Sequence, residues 1–175
     1  MIKKIILSSL VLLILSCDDV VSSSAASPFE GDLYVALQGM GNKVAILDAY
    51  SLDLKEMIDI NFSNGSVMME MPHYIAADHD SGLWFVTTMG SSSVGMFNVE
   101  SNELIDVINL ESPPALFEIA PVSNTLYVSR MPNVDLLGSD MIMGSGSSVI
   151  DKISYSLDGM VLDDTGYDTS FPAPH

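Results

Sequence analysis

The chain has very few cysteines and few basic residues, and each scarcity excludes a class of function. One cysteine among 175 residues leaves no intramolecular disulfide framework and no multi-cysteine zinc or iron–sulfur site. Six Lys and Arg residues stand against 23 Asp and Glu, a formal net charge of −17, so we expect no nucleic-acid partner. The hydrophobic residues make up 48% of the chain, which is too much for a disordered acidic tail.

The amino terminus has the pattern of a bacterial secretion signal. Lys3 and Lys4 precede an apolar stretch over residues 5–15, which is shorter than the roughly 20 apolar residues needed to span a bilayer. The only cysteine, Cys17, follows this stretch and a small residue, Ser16. The segment resembles the lipobox of bacterial lipoproteins, and the resemblance implies that Cys17 is lipidated and begins the mature chain. The alternative is an ordinary signal peptide with an incidental cysteine.

These features divide the chain into three regions. We predict a lipoprotein signal peptide over residues 1–16, a lipidated cysteine with a flexible tether over 17–30, and a folded region over 31–175. The tether is predicted because its small and polar residues show neither a helical nor a strand period. Acyl chains on Cys17 would anchor the protein to a membrane. We therefore expect it in the bacterial cell envelope, held on the inner or outer membrane and facing the periplasm or the exterior.

The folded region contains internal repeats. Residues 32–48 align with residues 82–98 at a constant offset of 50, and residues 126–129 supply a third copy of residues 33–36 and 83–86. Ahead of the second and third copies, the proline-led segments 72–77 and 114–120 match with a one-residue insertion. In the second repeat, short strands are predicted over 74–77, 83–88, 94–99 and 104–110. Four short antiparallel strands form one blade of a β-propeller, and burial on both faces explains why residues 83–86 are a continuous apolar run. The predicted fold is all-β.

The repeated segments carry a family resemblance. Residues 33–35, 83–88 and 126–129 resemble the second strand of the YVTN-type β-propeller repeat. Proteins with this repeat include surface-layer and lipoprotein propellers of unknown activity, and related propellers occur in nitrous oxide reductase, nitrite reductase and amine dehydrogenase subunits. The resemblance implies the blade architecture, and fold alone does not choose among these functions.

The number of repeats predicts an incomplete ring. The blades are predicted over residues 31–71, 72–113 and 114–173, with a fourth beginning at residue 174. Closed propellers have about four to eight blades, so three blades do not close. We interpret the chain as an N-terminal fragment of a longer reading frame, with assembly of short chains into a ring as the alternative. The third repeat is longer than the second because of an insertion around residues 132–148.

Two histidines are candidate metal ligands. His73 and His175 each follow a proline, and the repeat places them at the start of the innermost strands of blades two and four. Imidazoles facing the axis could bind copper, iron or haem. However, Ala115 takes this place in the third repeat, and we favour the interpretation that each Pro-His pair starts a blade and that its imidazole hydrogen-bonds to neighbouring backbone.

Methionines and acidic residues are weaker candidates. The 12 methionines suit Cu(I) but also fill irregular cores, and a copper site would require methionine and histidine to converge in space. Four aspartates could bind calcium, but their spacing is not that of an EF-hand, so a solvated acidic loop is favoured. The methionines near His73 and in the insertion are Met68, Met69, Met71, Met89, Met131, Met141 and Met143, and the four aspartates are Asp158, Asp163, Asp164 and Asp168.

The sequence supports two hypotheses of function. No nucleophile–base pair with identifiable partners is present, so we predict no catalytic residue. The first hypothesis is a membrane-anchored binding or scaffolding module, not an enzyme, that presents its insertion and acidic loops to a protein partner and needs no cofactor. The second is a redox subunit, similar to nitrous oxide reductase or amine dehydrogenase, in which His73, His175 and missing blades hold copper or haem.

Overall fold

The computed structural model describes residues 30–39, 41–131, 148–163 and 167–169. The predicted signal peptide, Cys17 and nearly all of the tether lie outside the described residues. So do residues 132–147 of the insertion, and His175 with the predicted start of a fourth blade. The regular secondary structure of the described residues consists almost entirely of antiparallel strands.

The strands form three sheets, which we name blade one, blade two and blade three. In each sheet, neighbouring strands along the chain pair with each other, and β11 and β12 both pair with the same edge of β10. Blade one contains β1 (Asp32–Leu37), β2 (Lys43–Asp48) and β3 (Leu54–Asp59); blade two contains β4 (Pro72–Asp78), β5 (Leu83–Thr88), β6 (Ser93–Asn98) and β7 (Leu104–Asn109); blade three contains β8 (Pro114–Ala120), β9 (Thr125–Arg130), β10 (Ser148–Ser156), β11 (Gly159–Leu162) and β12 (Tyr167–Thr169).

The three sheets pack face to face as successive blades of an incomplete β-propeller. This confirms the all-β fold predicted from the repeats. Over the described ranges there is no α-helix, and the only helical turn is a 3-10 turn at Pro121–Ser123. No helix long and apolar enough to cross a membrane is found in this part of the chain.

Strand β5 lies in the middle of the three blades and is buried on both faces. All six of its residues are buried. Leu83 and Phe85 pack in the cluster shared with blade three, whereas Trp84 and Val86 pack in the cluster shared with blade one. Successive side chains of a strand point to opposite faces, so a strand packed between two blades carries apolar side chains on both faces, as residues 83–86 do. This is the physical reason for the continuous apolar run.

A polar residue ends β2 of blade one and β6 of blade two and shapes the next turn. The Oδ1 atom of Asp48 accepts hydrogen bonds from the backbone N–H groups of Tyr50 and Ser51 at 3.0 and 2.8 Å. The Oδ1 atom of Asn98 accepts the same pair of bonds from residues 100 and 101 at 2.8 and 2.9 Å. Asp and Asn side chains commonly stabilise turns in this way. The repeated polar position is therefore a turn signal.

The structure corrects the alignment of the first repeat. The Asp48 and Asn98 turns confirm the offset of 50 for β2 and β6, but Val35 pairs with Ala45 and Val86 pairs with Gly95. Strands β1 and β5 therefore correspond at an offset of 51. The extra residue lies in the turn, because residues 38–42 separate β1 from β2 whereas 89–92 separate β5 from β6.

This shift by one residue decides which face each side chain occupies, since a register shift of one turns a strand over. Tyr34 corresponds to Phe85, although the gapless alignment matches it to Trp84. Tyr34 consequently faces blade two, where its ring centroid lies 5.2 Å from that of Trp84. Two residues that the sequence alignment made equivalent are in fact contact partners across the interface.

The third repeat needs no insertion in its first strand. Pro72 pairs with Thr88 and Pro114 pairs with Arg130, and both proline-led strands have seven residues with an irregularity after the proline. The one-residue insertion expected from the sequence alignment is therefore wrong, and Leu116 corresponds to Tyr74. Each irregularity is stabilised alike: the N–H of Tyr74 donates to Thr87 Oγ1 at 3.1 Å, and that of Leu116 to Ser129 Oγ at 3.3 Å.

Candidate functional site

One end of the three-blade assembly carries the residues that follow β1, β5 and β9. With the corrected registers, Gln38, Met89 and Met131 are equivalent. The backbone N–H of Met89 donates to the carbonyl of Met71 at 3.1 Å, and that of Met131 donates to the carbonyl of Pro113 at 2.8 Å. The proline-led strands start at this same end. We call it the His73 end, because His73 is the second residue of β4 there.

At the His73 end, one amide group lies next to a histidine and a methionine. Gln38 Nε2 is 3.3 Å from His73 Nδ1 and 3.3 Å from Met89 Sδ. Gln38 and His73 are exposed, and Met89 is half-buried. The predicted metal ligand His73 thus lies beside a side chain of blade one. Sequence reasoning missed Gln38, and the signal that would have found it is its equivalence to Met89.

The loop that joins blades one and two is fixed beside this cluster. The carboxylate of Glu70 is buried, and its Oε1 atom accepts hydrogen bonds from Ser63 N and Ser63 Oγ at 2.7 and 2.6 Å. The backbone N–H of Glu70 donates to Asn42 Oδ1 at 2.8 Å. At Gly90, an added Cβ would lie 1.8 Å from the carbonyl oxygen of Met69. Only glycine permits this approach, which holds residues 69–71 against residues 89–90.

The methionines singled out in the sequence do not form one group. Met96, on β6 of blade two, is fully buried in the cluster between blades two and three, so it fills the core. Met68 is 92% exposed and Met89 lies next to Gln38. Met141 and Met143 lie outside the described residues.

A second candidate site is an open groove on the free face of blade three. It has a volume of about 330 Å³. Leu116 is 54% exposed and Tyr127 is 40% exposed there. We call this site the blade-three groove; its lining residues are Tyr74, Leu116, Phe117, Glu118, Tyr127, Ser129 and Ile150.

Two buried polar contacts lie within blade three and at its interface with blade two. Tyr155 Oη donates a hydrogen bond to Asp78 Oδ2 across the interface with blade two, at 2.7 Å. Within blade three, Arg130 Nε lies 2.8 Å from Asp151 Oδ2, without the alignment of a hydrogen bond. Burial raises the pKa of the Asp151 carboxyl, an effect that the Arg130 guanidinium opposes. Both contacts lie in the core and serve packing.

The pKa of Asp78 is lowered and that of Tyr155 is raised. Burial raises the pKa of the Tyr155 hydroxyl, and the adjacent Asp78 carboxylate adds to this increase. Burial also raises the pKa of Asp78, but hydrogen bonds from Tyr155, Ser81 and Asp80 outweigh it, so the pKa of Asp78 is lowered. Asp78 therefore stays ionised and Tyr155 stays protonated at neutral pH.

We expect Tyr155→Phe to lower the free energy of unfolding by about 1–3 kcal/mol at pH 7, because it leaves the Oδ2 atom of the buried Asp78 carboxylate without its donor. A carboxyl whose folded pKa is lowered contributes stability above its unfolded pKa of about 3.9, and that stability is lost as the pH falls. The difference between native protein and variant should therefore shrink below about pH 4. Urea denaturation at pH 7 and pH 3 measures both values.

The matched control is Tyr50→Phe, because Tyr50 is 74% exposed. This variant should match the native protein at both pH values. An equal loss of stability for Tyr155→Phe at the two pH values would contradict the assigned role of Asp78.

The remaining acidic residues form no metal centre in the described part of the chain. There, no group of three or more His, Cys, Asp or Glu side chains could hold a metal ion. Asp158 is exposed, and Asp163 Oδ2 lies 2.9 Å from Lys152 Nζ. The position of Asp164 is outside the described residues, as is the side chain of Asp168.

Three solved structures are similar in fold to the three blades. Hydrazine synthase of Kuenenia stuttgartiensis matches with a TM-score of 0.58 and 20% identity, over 79% of this chain and 33% of that chain. A chain of the mitotic checkpoint complex matches with a TM-score of 0.56 and 16% identity, over 79% and 37%. A functionally unknown protein from Desulfotomaculum acetoxidans DSM 771 matches with a TM-score of 0.58 and 9% identity, over 81% and 38%.

The first two of these neighbours have propeller-type folds, and at such identities the likeness shows the fold alone. This chain spans about a third of the length of the structures it matches. No family model matches the chain. No curated protein matches it either.

Proposed function

We propose that this chain is a lipid-anchored, extracytoplasmic β-propeller segment that serves as a binding or scaffolding module. Its partner is a protein surface that fills the blade-three groove. The observation that carries the proposal is the exposure of Leu116 and Tyr127 on a sheet face whose counterpart in blade two is buried.

The equivalent face of blade two shows which side chains pack against a face of this kind. On blade two, the positions equivalent to Leu116 and Tyr127 are Tyr74 and Phe85. Both contact blade three through Phe117, with ring centroids 5.0 and 6.2 Å apart in edge-to-face arrangements. Exposed apolar patches mark interaction sites, and aromatic pairs prefer these geometries. The groove is therefore suited to an aromatic or branched apolar side chain from a β-sheet of the partner.

Charge adds specificity to this surface. Glu118 lines the groove and is exposed, and the chain as a whole carries a net charge of −17. A partner with a basic residue beside its apolar side chain would complement both. Charge complementarity of this kind raises association rates and excludes wrong partners more than it raises affinity.

One structural neighbour shows that the propeller fold can serve within a protein assembly. It is a chain of the mitotic checkpoint complex, so a propeller of similar shape works within a protein assembly. The redox alternative requires His175 and further blades, which lie outside the described residues. We therefore do not advance it as the function.

Site-specific crosslinking tests the groove. A photoreactive amino acid placed at position 127 in cells should yield a discrete crosslinked protein, whereas the same group at the exposed position 50 should not. The product should disappear when Leu116→Glu is added, because a buried charge in the contact is unfavourable. Identical products from positions 127 and 50, or no product from 127, would contradict the proposal. A product with twice the mass of the chain would identify a second copy as the partner.

Metabolic labelling tests the anchor separately. Radioactive palmitate should label the native chain and not Cys17→Ala. Equal labelling of the two would exclude lipidation of Cys17 without bearing on the groove.

A further inference from the structure

We propose that Gln38, His73 and Met89 form a binding site for a soft monovalent cation of the Cu(I) type, at the junction of blades one and two. His73 Nδ1 and Met89 Sδ are the ligands. The Gln38 amide occupies the cation position when the site is empty. The site lies apart from the blade-three groove and does not depend on the proposed binding function.

The geometry places two ligand atoms around one point. Gln38 Nε2 lies 3.3 Å from His73 Nδ1 and 3.3 Å from Met89 Sδ. A side-chain amide has two N–H donors, so it can donate to both atoms. Each acceptor then directs a lone pair towards the same nitrogen. A metal ion bound at that point uses the same two lone pairs, after both atoms move inwards to the roughly 2.0–2.3 Å of metal–nitrogen and metal–sulfur bonds.

The protonation state fits a metal ligand. For His73 Nδ1 to accept from Gln38, the imidazole must be neutral, with its proton on Nε2. This is the form in which histidine binds metals. The Gln38 side chain is exposed on a turn, so it can rotate into solvent when the cation arrives.

The ligand types select the metal. A thioether is a soft ligand that favours Cu(I), whereas carboxylate and carbonyl oxygens favour calcium and magnesium. The nearby carboxylate of Glu70 is buried, and Ser63 donates to its Oε1 atom, whereas its Oε2 atom has no hydrogen-bond partner among the described residues. The net charge of −17 favours any cation, and the thioether supplies the preference for a soft one.

The fold holds the backbone of two further methionines against the turn that carries Met89. Met89 N donates to the carbonyl of Met71 at 3.1 Å, and the close approach at Gly90 fixes Met69 beside the same turn. Met71 adopts a φ of 55°, a left-handed conformation that is uncommon for residues other than glycine. Two more methionines therefore lie on the segment next to Met89, from which a third ligand can come.

Competition with a chromogenic Cu(I) chelator under anaerobic, reducing conditions tests the site. Every sample carries Cys17→Ala, because a free thiol would itself bind Cu(I). The protein with His73 and Met89 intact should take one Cu(I) from the chelator. We expect His73→Ala and Met89→Leu each to weaken this binding at least tenfold. Gln38→Ala should bind Cu(I) as tightly or more tightly, because it removes the competing amide.

Two control variants remove the same chemical groups elsewhere. Met57→Leu replaces a thioether that is 39% exposed on β3, and His79→Ala replaces an exposed imidazole in the turn after β4. Both should bind Cu(I) unchanged. The proposal would be overturned if the two controls lost as much Cu(I) binding as His73→Ala and Met89→Leu. It would also be overturned if neither His73→Ala nor Met89→Leu lost any. Unchanged circular dichroism spectra verify that all variants fold, and Met89→Leu keeps the side-chain volume for this reason.

Discussion

Replacing Trp84 with alanine is expected to lower the free energy of unfolding by about 3–5 kcal/mol, as for other large core aromatics. Trp84 is fully buried between blades one and two. Its ring stacks on Phe97 with centroids 4.0 Å apart and 9° between the planes, and it contacts Tyr34 at 5.2 Å. Its Nε1–H donates to Asn102 Oδ1 at 3.2 Å. The substitution removes all of these contacts and leaves a cavity.

Urea denaturation followed by circular dichroism measures this loss, since the variant lacks the chain's single tryptophan. Trp84→Phe should lose less, because a phenyl ring still stacks on Phe97. Tyr50→Ala, at a site 74% exposed, should change the free energy by no more than about 0.5 kcal/mol. A Trp84→Ala variant as stable as Tyr50→Ala would show that the two blades do not pack in this way.

Replacing Asp151 with alanine should also cost about 3–5 kcal/mol, because it leaves the Arg130 guanidinium buried without its close partner. Both side chains are nearly buried, and Arg130 Nε lies 2.8 Å from Asp151 Oδ2. The other partner, Glu111, is exposed and lies 3.3 Å from Arg130. A surface carboxylate of this kind contributes at most about 1 kcal/mol, so Glu111→Gln is the matched control.

The double variant Arg130→Met with Asp151→Leu separates loss of the pair from creation of an unpaired charge. Replacing a buried ion pair with apolar side chains is often neutral or stabilising. We therefore expect the double variant to be more stable than Asp151→Ala. If the double variant is the less stable of the two, the ion pair itself stabilises blade three.

The sequence predicted the strands of blade two closely because the signals that define them are local. Strand β5 has the predicted bounds Leu83–Thr88, and β7 begins at the predicted residue, Leu104. The turn after β6 was also predicted. Asn98 stabilises this turn with its side chain, and Asp48 stabilises the equivalent turn of blade one in the same way. Short-range hydrogen bonding and side-chain alternation depend on neighbours along the chain, so they can be predicted from a single sequence.

The sequence misled where local similarity and register disagreed. Leu33 and Leu83 are identical residues, yet the register makes Leu33 equivalent to Trp84. Two apolar residues in succession satisfy either alignment, because both faces of these strands are hydrophobic. Only the hydrogen-bonded pairing of Val35 with Ala45 distinguishes the two.

The candidate metal site shows the same division. His73 was a candidate ligand, although the interpretation without a metal was favoured, and Met89 was noted among the methionines. The residue that lies next to both, Gln38, was missed. Gln38 is 35 positions from His73 and 51 positions from Met89. The extra residue in the turn after β1 determines where Gln38 lies, and a gapless alignment hides it.

The sequence by itself thus determined the all-β fold, the repeat and the burial of β5 on both faces, because each follows from the local pattern of apolar, polar and turn-forming residues. Only the tertiary structure decided which faces meet. It placed Tyr34 against Trp84, Tyr155 against Asp78 and Gln38 between His73 and Met89. The physical reason is that contacts between blades depend on register and packing across dozens of residues, which no local pattern specifies.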